Sequence, residues 1–160
     1  MALEIERKFK LKPGVAVPES ESSQAIRQAY LMNDDGMAVR VRIVNNEHAF
    51  LTIKKATTAS IAVRQEYEYE IPIEDALEML QLCIGTPIVK QRFVVMDDGR
   101  KWEVDIFQEE NEGLIIAELE LSDLNQYIDL PSWIGEEVTE DPRYLNNYLA
   151  LHPYTQWSEK

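Results

Sequence analysis

The chain has 160 residues, of which 45% are hydrophobic and 28% are charged, a composition typical of a globular protein with a sizeable core. Its formal net charge of −13 disfavours nucleic acids and anionic membranes as partners, unless the basic residues are gathered in one place. A single cysteine, Cys83, excludes a disulfide within the chain, and no apolar run is long enough for a membrane span. We therefore expect one cytoplasmic domain over residues 1–160.

The first predicted strand is EIERKFK, residues 4–10, and it places charged residues in one row. Because alternate side chains of a strand face opposite ways, Glu4, Glu6 and Lys8 share one face, and Ile5 and Phe9 share the other. For a lone strand, the ordinary explanation is a face exposed to water. The pattern of the other strands bears on whether this charged row belongs to a binding site instead.

The remaining elements follow a pattern of strands joined by short turns. A Pro- and Ser-rich loop over residues 13–24 precedes the second strand, and the segments DDG, NNE and DDG predict hairpin turns. The pattern predicts one helix over about 74–84, with Cys83 as a core residue, and helical or irregular structure after Ser122. Together with the first, about eight strands are predicted, the others being 25–32, 37–44, 49–55, 62–71, 87–96, 100–107 and 114–122.

Each later strand also has one apolar face and one charged face. In MAVRVRIV, for example, Val39 and Val41 oppose Arg40 and Arg42. The charged faces of the later strands carry Arg40, Arg42, Thr52, Lys54, Arg64, Glu66, Glu68, Glu70, Lys90, Arg92, Glu103, Asp105, Glu118 and Glu120.

Two architectures explain this alternation. An antiparallel sheet exposes its charged face to water, and periodicity alone favours that solution. Alternatively, the sheet closes into a barrel with a charged lumen and an apolar outside covered by helices. Seven of the 16 basic residues lie on these faces among carboxylates, which favours a site for a polyanion bound together with divalent cations.

The metal that such a site prefers follows from the available ligands. With two histidines, His48 and His152, both expected at the surface, the chain cannot build a multi-histidine zinc site. Carboxylate ligands point instead to magnesium, manganese or calcium.

The motifs of these strands resemble those of a known family. EIERKFK is similar to the N-terminal Glu-x-Glu-x-Lys signature of the CYTH superfamily, the triphosphate tunnel metalloenzymes, and the length is similar to the compact bacterial members. Companion motifs follow in the family's order, namely VRVR (39–42), TIK (52–54), RQEYEYEI (64–71), KQR (90–92), EVD (103–105), ELE (118–120) and GEEVTEDPRY (135–144). The resemblance implies an α+β fold: an eight-stranded antiparallel β-barrel, the triphosphate tunnel, with helices packed outside and a C-terminal plug helix.

The resemblance also implies an activity and assigns roles to residues. Compact members are typically inorganic triphosphatases, in which a metal-associated water attacks a terminal phosphorus in line and releases phosphate and pyrophosphate. The cofactor would be Mg²⁺ or Mn²⁺, as two ions in the active complex. The implied metal ligands are Glu4, Glu6, Glu118 and Glu120. The implied phosphate-binding residues are Lys8, Arg40, Arg42, Lys54, Lys90, Arg92 and Arg143. The implied catalytic carboxylates are Glu66, Glu68 and Asp105.

Several points stay open in the sequence. Tyr30 is either a hydrogen-bond partner of a tunnel lysine or a core tyrosine, and Arg64 and Glu70 either belong to the site or form structural ion pairs. Asn146 and Asn147 occupy a stretch in which some relatives place a further basic residue. An adenylate cyclase, a thiamine or nucleoside triphosphatase, and a non-catalytic polyphosphate-binding module are the alternatives to an inorganic triphosphatase.

Overall fold

In the computed structural model, which describes residues 3–160, eight antiparallel strands close into a barrel. The strands are β1 (Leu3–Leu11), β2 (Ser22–Asp34), β3 (Met37–Val44), β4 (His48–Ala56), β5 (Val63–Ile71), β6 (Ile84–Asp97), β7 (Arg100–Phe107), β8 (Ile115–Glu120) and a short ninth strand, β9 (Ile134–Glu137). The strand order around the barrel is β1-β5-β4-β3-β2-β6-β7-β8, and the barrel closes because β1 pairs with both β8 and β5.

Tight turns of left-handed backbone join β2 to β3, β3 to β4 and β6 to β7. Asp35 and Gly36 have φ values of 50° and 74°, and Asp98 and Gly99 repeat these values between β6 and β7. Asn45 also has a positive φ, 53°, in the turn between β3 and β4. Positive φ at both central residues gives the turn whose twist matches antiparallel strands, and Asn, Asp and Gly tolerate it best. The three predicted turns are therefore confirmed.

The apolar face of the barrel looks outward and is partly covered by helix α1 (Ile73–Met79). Ala76 of α1 is fully buried in a cluster that includes Val41 and Ile43, which point away from the lumen. The helix is shorter than predicted, because a 3₁₀ turn over Leu80–Leu82 follows it. Cys83 is extended and only partly buried, although it packs against the same cluster.

One end of the barrel is closed by the C-terminal helix α2 (Asn146–Leu151), which packs on β6 and β2. Gly85 makes this approach possible: its φ is +68°, and a Cβ at this position would collide with the carbonyl oxygen of Ala150. The structure thus places a plug helix where the resemblance implied one. Within residues 3–160, no helix has the length and apolar character needed to cross a bilayer.

The ninth strand, β9, lies where the sequence predicts helical or irregular structure, after Ser122. It pairs with the C-terminal end of β1, with Glu137 opposite Phe9. A strand of four residues is too short to show a periodic pattern, so β9 has no signal in the sequence.

Candidate active site

The barrel encloses a cavity of about 120 Å³ whose walls are almost entirely charged. The basic residues that line it are Lys8, Arg40, Arg42, Lys54, Arg64, Lys90 and Arg92. The acidic residues that line it are Glu4, Glu6, Glu66, Glu68, Glu103, Glu118 and Glu120. Tyr30 and Asn146 complete the lining. The charged faces of the strands therefore point inward, as the barrel alternative requires.

The strand register brings carboxylates from different strands together. Glu6 lies opposite Glu120 in the pairing of β1 with β8, and Lys8 lies opposite Glu118. Glu103 of β7 in turn lies opposite Glu118. Since directly opposed side chains of neighbouring strands lie about 5 Å apart, this register gathers the acidic residues of β1, β7 and β8 on one side of the lumen.

Glu120 is the centre of this acidic side. Burial raises its pKa, and the neighbouring carboxylates Glu4 and Glu6 raise it further. Among residues 3–160, Glu120 forms no ion pair within 4.0 Å. A bound cation would relieve the repulsion between Glu120 and the neighbouring carboxylates.

A basic side of the lumen, formed by Arg40, Arg42 and Arg92, is crowded with positive charge and meets the acidic side where Arg92 Nη2 lies 3.5 Å from Glu118 Oε2. Burial lowers the pKa of Arg42 to about 9, and the neighbouring guanidinium groups of Arg40 and Arg92 contribute to the shift. The Nε atom of Arg40 is buried and has no hydrogen-bond partner in the described structure. A bound anion would reduce the repulsion among the three guanidinium groups and would accept a hydrogen bond from Arg40 Nε.

Asp105 lies behind this basic side and is completely buried. Its carboxylate accepts hydrogen bonds from Lys90 Nζ at 2.7 Å, from Arg92 Nε at 2.7 Å and from Arg92 Nη2 at 2.9 Å. Burial opposes ionisation of Asp105, but Arg92 and Lys90 outweigh it and lower the pKa of the carboxyl. Burial also lowers the pKa of Lys90, to about 7. Asp105 does not line the cavity and instead fixes two residues that do.

Three of the four implied metal ligands form ion pairs with lysines. Glu118 lies 2.8 Å and Glu6 lies 3.1 Å from Lys8 Nζ, and Glu4 lies 2.9 Å from Lys54 Nζ. No group of three or more Asp, Glu, His or Cys side chains within residues 3–160 is arranged as a metal cage. The donors nevertheless fit a hard divalent cation, because they are all oxygens and the charge of Glu120 is uncompensated.

Most of the residues implied by the resemblance meet in this cavity, but Arg143 lies outside it. The Arg143 guanidinium forms an ion pair with Asp141 at 2.8 Å and lies over the ring of Trp157. Asp141, two residues earlier in the chain, thus pairs with the charge of Arg143. The structure does not bring Arg143 to the other implied phosphate-binding residues.

The structure also places residues that the sequence left open. Arg64 lines the cavity, with Nη2 at 3.6 Å from Glu4 Oε1, whereas Glu70 pairs with His48 at the surface. The two therefore do not pair with each other. Tyr30 is 5% exposed and lines the cavity. The position of Arg64 on the charged face of its strand was the signal that would have included it.

Comparison with known proteins agrees with this geometry. A protein of Acetivibrio thermocellus named inorganic triphosphatase is 44% identical over 160 residues, covering 99% of this chain and 100% of that protein. An inorganic triphosphatase of Nitrosomonas europaea is 35% identical over 153 residues, covering 92% and 97% of the two chains.

Solved structures share the fold. The inorganic triphosphatase NE1496 matches with a TM-score of 0.65 at 33% identity, over 92% of this chain and 97% of that one. A conserved hypothetical protein from Pyrococcus furiosus matches with a TM-score of 0.58 at 26% identity, over 75% and 79%. The CYTH domain model matches residues 2–148. The chain therefore belongs to the CYTH domain family.

Proposed function

We propose that the chain is a metal-dependent inorganic triphosphatase, which hydrolyses tripolyphosphate to pyrophosphate and phosphate. The observation that carries the proposal is the polarity of the lumen, with an acidic side around Glu120 and a basic side around Arg42. A phosphate chain accompanied by divalent cations satisfies both sides at once, since the cations meet the carboxylates and the phosphoryl oxygens meet the guanidinium groups. The names of the relatives support the same substrate.

The charge of the cavity supports a substrate that enters together with cations. Seven basic and seven acidic residues line the walls, so their formal charges cancel. A fully ionised tripolyphosphate brings about five negative charges, and two divalent cations bring four positive ones. Two Mg²⁺ or Mn²⁺ ions per substrate therefore leave the loaded cavity close to neutral.

The proposed metal ligands lie on the acidic side. Glu4, Glu6, Glu118 and Glu120 would hold a first ion, and Glu66 and Glu68, which also line the cavity, would hold a second ion or the attacking water. A bound divalent ion neutralises phosphoryl charge and increases the acidity of a coordinated water. The cation adds to a site whose lysines, Lys8 and Lys54, already lie beside these carboxylates.

The basic side orients and stabilises the phosphate chain. Arg40 and Arg42 present planar guanidinium groups, which would bind phosphoryl oxygens in pairs and stabilise the charge that develops as the bond to the leaving group breaks. Arg92 adds positive charge, because its Nε and Nη2 atoms already donate to Asp105. Lys8, Lys54 and Lys90 add further point charges. Asp105 acts as a positioning residue, because it fixes Lys90 and Arg92 from behind.

The alternatives find less support. An adenylate cyclase needs a pocket for a purine, but Tyr30 is the one aromatic residue among the described residues that line the cavity. A non-catalytic binding module would bind tripolyphosphate without turnover, whereas the carboxylates expected of a hydrolase are retained around the lumen. We propose that residues 1–160 act as one tunnel domain and that the protein works in the cytoplasm. Its ligand would be tripolyphosphate, and it would bind neither nucleic acid nor a membrane surface.

A substrate panel tests the proposal. Phosphate release is measured with malachite green on tripolyphosphate, ATP, thiamine triphosphate and pyrophosphate with added Mg²⁺, and cyclic AMP is measured in the ATP reaction. We expect tripolyphosphate to have the highest kcat/KM and no cyclic AMP to form. Preferential cleavage of ATP or thiamine triphosphate, or the formation of cyclic AMP, would contradict the proposal.

A further inference from the structure

A chain of hydrogen bonds connects the plug helix α2 to the basic side of the cavity. Arg42 Nε donates to Gln28 Oε1 at 2.7 Å, and Gln28 Nε2 donates to Asn146 Oδ1 at 2.8 Å. Lys90 Nζ donates to the same Asn146 oxygen at 2.9 Å. Gln28 is fully buried and Lys90 is 1% exposed, so both donors are held in place by the barrel.

Arg42, at one end of this chain, fixes the orientation of both amides. Its guanidinium group donates hydrogen bonds and accepts none, so it must face the oxygen of Gln28. Gln28 therefore turns its oxygen to Arg42 and its NH₂ group to Asn146, and Asn146 turns its oxygen to Gln28 and Lys90. Flipping Gln28 would place its NH₂ group against the Arg42 guanidinium, and flipping Asn146 would place its NH₂ group against that of Gln28.

This arrangement leaves the NH₂ group of Asn146 available. Asn146 lines the cavity, and its Nδ2 atom donates to no residue in the described part of the chain. Nδ2 is also not among the sealed polar atoms that lack a partner. The available donor lies at the plugged end of the lumen, beside Lys90.

We infer that Asn146 is a substrate-binding residue whose Nδ2 donates to an oxygen of the phosphoryl group nearest the plug helix. The inference rests on the proposed function, since it needs a phosphate chain in the lumen. A hydrogen bond to an anionic oxygen is about twice as strong as one between neutral groups. The amide contributes this bond without adding positive charge to a side where Arg40, Arg42 and Arg92 already crowd together.

Two substitutions separate this role from a structural one. Asn146→Ala removes the NH₂ donor and also the oxygen that Gln28 and Lys90 use, but it changes no charge. Asn146→Asp keeps an oxygen for Gln28 and Lys90 and removes the donor, but it adds a negative charge. Loss of the NH₂ group is the only change that the two variants share.

Asn147→Asp is the matched control. Asn147 is the next residue of α2, does not line the cavity, and donates from Nδ2 to Asn33 Oδ1 at 3.1 Å. A carboxylate at position 147 cannot donate this bond. The variant therefore weakens the attachment of α2 to β2 and adds the same negative charge, without touching the lumen.

The measurement is the Kd of an imido-bridged tripolyphosphate analogue with Mg²⁺ by calorimetry, together with KM for tripolyphosphate and the melting temperature of each variant. We expect both Asn146 variants to bind the analogue about 10-fold or more weakly, since a hydrogen bond to a charged group is lost, and Asn147→Asp to stay within about twofold of the wild type. A loss confined to Asn146→Asp would indicate charge repulsion, and a loss confined to Asn146→Ala would indicate a positioning role through Lys90. Either result, or an equal loss in Asn147→Asp, overturns the inference. A wild-type protein that neither binds the analogue nor cleaves tripolyphosphate would instead refute the proposed function.

Discussion

Replacing Asp105 by asparagine removes the negative charge that two buried cations share. The side chain of Asp105 is 0% exposed, and its oxygens accept three short hydrogen bonds from Lys90 and Arg92. The amide has nearly the same shape, but its NH₂ group must face a donor of one of these cations. Breaking a buried ion pair by removing one partner costs about 3–5 kcal/mol. For a chain of this size, such a loss lowers the melting temperature by about 6–20 °C.

Glu103→Gln is the matched control, because it makes the same chemical change on the same strand beside the same arginine. Glu103 lies 3.4 Å from Arg92 Nη1, and its side chain is 28% exposed. Partly solvated pairs of this kind contribute about 1 kcal/mol or less. The assay is thermal and urea unfolding of both variants, with kcat/KM for tripolyphosphate, which should fall in Asp105→Asn because Lys90 and Arg92 lose their orientation. Equal free energies of unfolding for the two variants would refute the reasoning.

The same contact predicts a pH dependence of stability. Arg92 and Lys90 hold the pKa of Asp105 below its ordinary value, so the folded protein binds fewer protons than the unfolded chain when the pH is between the two pKa values. The stabilisation is therefore complete above about pH 4 and is lost as the pH falls toward the lowered pKa. The stability difference between the wild type and Asp105→Asn should shrink over that acidic range in unfolding experiments at stepped pH.

Three further predictions concern the two sides of the lumen. Arg40→Lys and Arg42→Lys should each lower kcat/KM for tripolyphosphate by about 10-fold at an unchanged melting temperature, because lysine lacks the planar donor fork; two variants with wild-type kinetics would make these arginines structural. Glu120→Gln should raise the melting temperature of the metal-free protein at pH 7, because the raised pKa of Glu120 means that its charged form destabilises the fold above the unfolded-state pKa. The same variant should be stabilised less by added Mg²⁺. A lower melting temperature of the metal-free variant would contradict the assignment. Calcium should bind to chelator-stripped protein and inhibit the magnesium reaction without supporting turnover, because its longer and looser coordination displaces the reacting groups; full activity with calcium alone would reject a carboxylate site selective for Mg²⁺ or Mn²⁺.

The strands and the faces of their side chains were predictable because strand periodicity is a local property. The alternation in MAVRVRIV fixes which residues share a face with Arg40, and the DDG segments fix the turns beside it. The same alternation suits an open sheet with a wet face, so the lumen itself was not predictable from periodicity. The choice depended on the gathering of basic residues and on the resemblance to the CYTH superfamily.

The separation of the lumen into two sides depends on contacts between distant parts of the chain. Lys54 and Glu4 are 50 residues apart and lie 2.9 Å from each other because β5 returns to pair with β1. Arg143, which the resemblance implied as a phosphate-binding residue, lies outside the lumen, and the sequence does not show that Asp141, two residues earlier, holds its guanidinium. The hydrogen bonds of Asn146 likewise required the docking of α2.

The most direct test of the account is the hydrolysis of tripolyphosphate followed by phosphorus NMR, with chelator-stripped wild type and with Glu4→Gln. The account predicts equal amounts of phosphate and pyrophosphate from the wild type once Mg²⁺ is added, and no turnover before that. Glu4→Gln should be slower by about 10²-fold or more at saturating Mg²⁺, with a fold verified by its unfolding transition, because an implied metal ligand is lost. Turnover by the stripped wild type, or near-normal turnover by Glu4→Gln, would contradict the claim that the acidic side of the lumen holds a catalytic divalent cation.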